Sequence, residues 1–213
     1  MAEMDNSEGF RIKPKHQGTK ALFDNPILER LSRTHISIPI TLYLLLSAGL
    51  LYYAFRYTIL PGMYIPFLFF SGFLTFTLIE YLMHRYLFHM KPDKKWKRII
   101  QYNLHGVHHE FPKDKERLAM PPLVSILLAG ALFVIFWAMM NTKVFGFLPG
   151  VMTGYASYLF VHYIVHAYPP PANWFKILWV NHSIHHYKDS TVVFGVSSPL
   201  WDYVFGTMPK KGK

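Results

Sequence analysis

The 213 residues are 52% apolar and 17% aromatic, which is material for one domain richer in apolar side chains than most soluble ones. Cysteine is absent, so disulfide frameworks and thiolate sites are excluded and any metal must be held by nitrogen and oxygen. The net charge of +10 would suit a nucleic-acid partner by sign alone, but the basic residues flank apolar runs and form no stripe on a folded face, so no nucleic-acid partner is expected.

In chain order, residues 1–35 are polar and read as a cytoplasmic N-terminal lead-in, flexible through Lys13, Lys15, Gly18 and Lys20. No cleavable signal peptide is visible there. Four runs then carry no formal charge: Ile36 to Phe55, Met63 to Ile79, Leu118 to Thr142 and Val144 to Val161. Their lengths match the ~17–25 residues that a helix needs to cross the hydrocarbon layer. The expected fold is an all-α integral membrane protein, a single domain over residues 36–213, with four transmembrane helices at about 36–56, 63–84, 119–142 and 144–165. Leu60-Pro61-Gly62 and the segment Asn141 to Gly146 read as tight turns between antiparallel neighbours. Residues 85–118 and 166–213 remain as a helical cap, with Pro169-Pro170-Pro171 a stiff link into its second part.

Of the 22 Lys and Arg, six precede Ile36, nine lie between His84 and Ala119, and five follow His166. Only Arg56 and Lys143 stand at the opposite ends of the runs. The positive-inside rule therefore puts the cap and both termini in the cytoplasm, on a bacterial inner membrane or the endoplasmic reticulum. The basic surplus also suits contact with anionic membrane lipids, and Trp96, Trp174, Trp179 and Trp201 read as headgroup-level anchors. Lys210-Lys211-Gly212-Lys213 has the form of a dilysine retrieval signal. Asn181-His182-Ser183 matches the glycosylation sequon by chance, since it falls on the cytoplasmic face within a histidine cluster.

Ten of the twelve histidines fall into four clusters: His84 and His89; His105, His108 and His109; His162 and His166; His182, His185 and His186. Neutral imidazole is the commonest side-chain metal ligand, and ten exceed what one ion of four to six ligands can take. Two metals are the economical reading. Residues three and four apart share a helix face, so each H-x-x-H-H triplet can converge on one centre. His84 and His89 diverge by about 140° on an ideal helix, so the helix must end or bend between them, ahead of Pro92. Glu80, one turn before His84 in apolar sequence, is placed as an acceptor for an imidazole N–H rather than as a ligand. His16 and His35 stand alone and read as ordinary interfacial residues.

The cluster sequences carry a resemblance. His84-Arg-Tyr-Leu-Phe-His89-Met-Lys-Pro92, His105-Gly-Val-His108-His109, Asp114-Lys-Glu-Arg117-Leu-Ala-Met-Pro121-Pro122, His162-Tyr-Ile-Val-His166, His182-Ser-Ile-His185-His186, Phe194-Gly-Val-Ser-Ser and Leu200-Trp-Asp-Tyr-Val-Phe-Gly206-Thr207 follow one another in order. Over about Pro66 to Thr207 the chain resembles the fatty acid 2-hydroxylases of the fatty acid hydroxylase and sterol desaturase superfamily. The resemblance implies a histidine-rich dimetal site, with all ten clustered histidines as ligands and iron as the working metal, zinc being an alternative occupant in purified protein. It implies dioxygen as co-substrate and hydroxylation of the alpha carbon of a long-chain acyl lipid. Tyr158 and Asp202 are expected beside the ligands, and Arg117 at the acyl head or a lipid headgroup. Two departures stand out. The first 35 residues are too short for the cytochrome-type haem domain of many members, so electrons are expected from a separate cytochrome- or ferredoxin-type protein, and the position three before His162, often acidic, is Leu159. Rival readings are a related hydroxylase or desaturase acting on a sterol, carotenoid or alkyl lipid, and a non-catalytic metal-binding protein or transporter. No zinc-protease H-E-x-x-H, phosphate-binding loop or dinucleotide fingerprint occurs.

Overall fold

The computed structural model describes residues 12–15 and 17–210, and every regular element among them is helical. Residues 1–11 and His16 of the lead-in and the last three residues of the basic tail lie outside the described residues. Helix α1 (Pro26–Leu31) starts where Asn25 Oδ1 accepts from the N–H groups of Ile27 and Leu28 at 2.9 and 3.2 Å, with Pro26 at its first position. Four long helices follow: α2 (Ser37–Tyr57), α3 (Tyr64–Leu82), α6 (Pro122–Met140) and α7 (Val144–Ala167). The shorter α4 (Lys95–Gln101), α5 (Val107–Glu110), α8 (Lys176–Tyr187) and α9 (Leu200–Phe205) carry the histidine-rich segments and what braces them.

The long helices are apolar all round, which is the pattern of a helix with no water-facing side. Leu45, Phe70, Leu127 and Phe160 point outward and are exposed. Three stretches are long and apolar enough to cross a membrane: Ser37–Tyr57, Tyr64–Phe88 and Leu123–Ala167. The last, at 45 residues, is broken by a short turn at Asn141–Lys143, where Asn141 takes a positive φ of 53°.

Helix α7 is the axis of the bundle, packed along both α2 and α3, which barely meet each other. The reason lies in three glycines at four-residue spacing, Gly146, Gly150 and Gly154, on one face of α7. A Cβ on Gly150 would sit 1.9 Å from the Phe69 carbonyl oxygen, and one on Gly72 would sit 2.0 Å from that of Phe147. The two backbones touch there, as small residues allow in membrane helices. Polar groups tie the second neighbour. Ser47 Oγ donates to the Pro149 carbonyl at 3.1 Å and lies 3.0 Å from Thr153 Oγ1, while Tyr43 donates to the Ser125 carbonyl of α6 at 2.6 Å.

Gly150→Ala forces α3 and α7 apart and should cost about 1–3 kcal/mol, read as a lower melting temperature in detergent. Gly130→Ala on α6, where an added Cβ meets nothing within 4 Å, should leave the melting temperature unchanged or slightly raised.

Candidate metal centre

Helix α3 does not stop at Leu82 but widens into a π-helical turn, Met83–Phe88, in which the His89 N–H donates to the His84 carbonyl at 3.1 Å. That bond spans five residues, so the turn puts His84 and His89 on one side, where an α-helix would have parted them. A second π turn, Tyr102–Gly106, delivers His105 into α5. His162 and His166 come from the end of α7, and His182, His185 and His186 from α8.

All ten clustered histidines are buried or half-buried and fall into two groups of five. His84, His89, His105, His109 and His185 form one; His108, His162, His166, His182 and His186 form the other, with the nitrogens of each group within 4.8 Å of one another. The expectation that each H-x-x-H-H triplet converges on one centre is corrected here. In both triplets the first and last histidines join one group and the middle one joins the other. Neighbouring residues point about 100° apart on a helix, so a triplet straddles two centres. The groups adjoin where the rings of His109 and His186 stack at 4.1 Å. His35 stays exposed and apart, 2.8 Å from Ser37 Oγ.

The donor set suits metal ions. Nε2 atoms face each other at 3.1 Å (His84 and His105), 3.0 Å (His105 and His109), 2.9 Å (His89 and His185; His108 and His162) and 2.7 Å (His166 and His182). Two imidazoles bound at right angles to one metal through bonds of about 2.1 Å hold their nitrogens about 3.0 Å apart. Burial first, and then the neighbouring rings, hold the pKa values of His105, His108, His109, His182 and His186 well below the ordinary imidazole value. Burial lowers that of His185 to about 4. The rings are therefore neutral, the ligating form. Both ring nitrogens of His186 are buried without a hydrogen-bond partner in the protein, a cost that coordination of one of them would partly offset.

One loop fixes two of the rings. His84 Nδ1 lies 2.5 Å from the Phe194 carbonyl and His185 Nδ1 lies 2.8 Å from that of Val192, so each Nδ1–H donates to backbone and leaves Nε2 free to bind. Val193, between the two carbonyls, is held at a φ of 50°, a conformation that a β-branched residue adopts only under strain. Asp202, fully buried, anchors this loop by accepting from the N–H groups of Phe194 and Gly195, both at 2.8 Å, and from Thr207 Oγ1 at 2.7 Å. Burial raises its pKa above the usual carboxylate range, against the pull of those donors. Glu80 departs from expectation. Its carboxylate accepts from the N–H groups of Val196 and Ser197, at 2.7 and 2.9 Å, and from Ser197 Oγ. The loop that holds His84 and His185 takes both its oxygens. Tyr158 stacks on the His162 ring at 5.4 Å.

Arg117 is turned into the protein, where it is buried and donates to Ser32 Oγ at 2.7 Å, to the Lys20 carbonyl at 3.0 Å and to Glu29. These bonds strap the lead-in across the cap, and its Leu22 and Phe23 line a cavity of about 380 Å³. The cavity begins at His84, His105, His108 and His162 and continues between apolar side chains of α3, α6 and α7. Neither the loop carbonyls nor the strap was readable from residue types, because backbone acceptors have no sequence signature. The five-residue gap between His84 and His89 did signal the bend.

The fatty acid hydroxylase profile matches residues 69–207, the stretch that holds both histidine groups and their bracing loop. The chain belongs to the fatty acid hydroxylase family. It is 37% identical over 139 residues to a dihydroceramide fatty acyl 2-hydroxylase of Arabidopsis thaliana, covering 65% of this chain and 59% of the relative. Against the human fatty acid 2-hydroxylase it is 33% identical over 212 residues, covering 89% and 57%. The chain thus spans under three fifths of the length of these curated relatives. A solved structure described as full-length Scs7p, with only its hydroxylase domain visible, superimposes with a TM-score of 0.85 at 32% identity, covering 94% of this chain and 76% of the other.

Asp202→Ala strips the shared acceptor from two backbone N–H groups and should destabilise the fold by about 2–5 kcal/mol, seen as a lower melting temperature and faster proteolysis near the loop. Asp202→Asn, which keeps one acceptor oxygen, should lose less.

Proposed function

We propose that the protein is an oxygen-dependent fatty acid 2-hydroxylase, placing a hydroxyl on C2 of a long-chain acyl group, free or carried in a sphingolipid such as ceramide. One juxtaposition carries the reading: two buried five-histidine groups stand at the head of a long apolar cavity. The names of the relatives, which specify fatty acyl 2-hydroxylation, support it. A transporter would string its ligands along the crossing helices, whereas here they gather at one end of α3 and α7.

In this reading His84, His89, His105, His109 and His185 hold one ion, and His108, His162, His166, His182 and His186 hold the other. Bound iron supplies the redox chemistry with dioxygen and two electrons from a separate cytochrome- or ferredoxin-type donor; zinc also binds imidazole but has no redox role. The chain's own part is placement. The Val192 and Phe194 carbonyls keep protons on Nδ1 of His185 and His84, and Glu80 and Asp202 keep those carbonyls in position. Tyr158 backs the His162 ring. The walls of α3, α6 and α7 hold the tail and exclude water, which fixes the carbon that meets the histidines. Arg117, its charge already met by Glu29, acts through the lead-in that it secures.

The same reading counts Leu123–Ala167 as two crossings, since 45 helical residues would extend about 67 Å, twice the ~30 Å layer. That makes four transmembrane helices with a cytoplasmic cap and both termini inside, in contact with anionic lipids, in a bacterial inner membrane or the endoplasmic reticulum.

Elemental analysis of the purified protein should give about two metals per chain, the number that two ligand groups imply. Expression in a lipid-defined host should give 2-hydroxy acyl chains by mass spectrometry. His108→Ala and His185→Ala, one in each group, should each lower the metal count toward one and the product by at least about 100-fold. Unsaturated product in place of 2-hydroxy product, or full turnover with one ion per chain, would overturn the reading.

A further inference from the structure

The cavity's lining residues on α7, among them Leu148, Met152, Tyr155, Leu159 and His162, lie on one helical face. The cavity therefore runs along the helix axis, away from the histidines. From His162 to Leu148 is a step of 162 − 148 = 14 residues, about 21 Å at 1.5 Å each. Helix α6 supplies the facing wall through Val124, Ala129 and Leu132. Beyond Leu132 and Leu148 the two helices are closed on each other by ring pairs, Phe136 on Phe147 at 5.0 Å and Phe133 on Phe145 at 5.8 Å. An extended acyl chain advances about 1.25 Å per carbon, given carbon–carbon bonds of about 1.5 Å at tetrahedral angles, so about 17 carbons fit between the histidines and this floor.

We propose that Leu132 and Leu148 are the end stop of an acyl chain-length gauge, and that Ala129 keeps the bore open one turn above it. The proposal rests on C2 being presented at the histidines, as argued above. With C2 there, a chain of about 18 carbons fills the cavity, and chains of about 22 or more do not seat fully. A larger side chain at Ala129 moves the stop up by three residues, about 4.5 Å, which removes room for about four carbons. Removing both leucine side chains lowers the floor toward Phe136 and Phe147 by a similar amount.

The test feeds a host expressing each variant with labelled fatty acids of about 12 to 24 carbons and reads the hydroxylated fraction at each length by mass spectrometry. Native mass spectrometry of the purified proteins reads the lengths of retained acyl lipids independently of turnover. In Ala129→Phe the 18-carbon product should fall at least about tenfold relative to the 14-carbon product, the scale on which a pocket rejects a methylene that no longer fits. In Leu132→Ala with Leu148→Ala the 22-carbon product should rise at least about fivefold relative to the 18-carbon product. If Ala129→Phe does not accumulate, the double alanine variant decides. Wild-type length profiles in the variants, in product or in retained lipid, overturn the gauge. A wild-type protein that makes no 2-hydroxy product defeats the functional reading instead, and retained lipid lengths still judge the gauge.

Discussion

Ten imidazoles crowded into a mostly buried space, with facing nitrogens about three ångströms apart, are the constraint around which the rest of this structure is organised. Lone pairs at that range repel, and charging the rings would be worse, because positive charges would then crowd a medium that solvates them poorly. Such a cluster stands only where a cation lies between the nitrogens or the surrounding fold holds the rings by force. The fold supplies much of that force through one short loop. Asp202 and Glu80 accept from its successive N–H groups, and its carbonyls fix His84 and His185.

The two H-x-x-H-H triplets turn this constraint into a scaffold. Because the helical segment Tyr102–Glu110 and α8 each give two histidines to one group and one to the other, the separation of the groups is set by helix geometry, which is stiff, and not by loops. The π turn after Leu82 adds His89 to the side already occupied by His84. Each element thereby serves both groups or completes one.

The broad plan could be read from the sequence because it rests on periodic or compositional features. Charge-free runs gave the long helices, and histidines spaced three and four apart gave the helices of the cap. What escaped reading rests on backbone. Proximity along the helix, which is visible in sequence, pairs Glu80 with an imidazole, whereas the N–H groups of Val196 and Ser197 that occupy it come from 116 and 117 residues away. Spacing of three and four shows that a triplet shares a helix face, but not that its members share a target. Residue type alone marks Arg117 as an interfacial cation, but its burial against Glu29 depends on where the lead-in travels, which no local pattern encodes. The glycine spacing on α7 was present in the sequence and would have marked the seam with α3.

That seam differs in kind from the opposite wall. Along α3 and α7 main chain meets main chain, so nearly any change of side chain there disturbs the bundle that carries the histidines. Along α6 the contacts run through side chains, and its single glycine, Gly130, faces open space. The bundle thus has a tolerant helix and a constrained one. A change of side chain on α6 can therefore reshape the cavity wall while both histidine groups stay where they are.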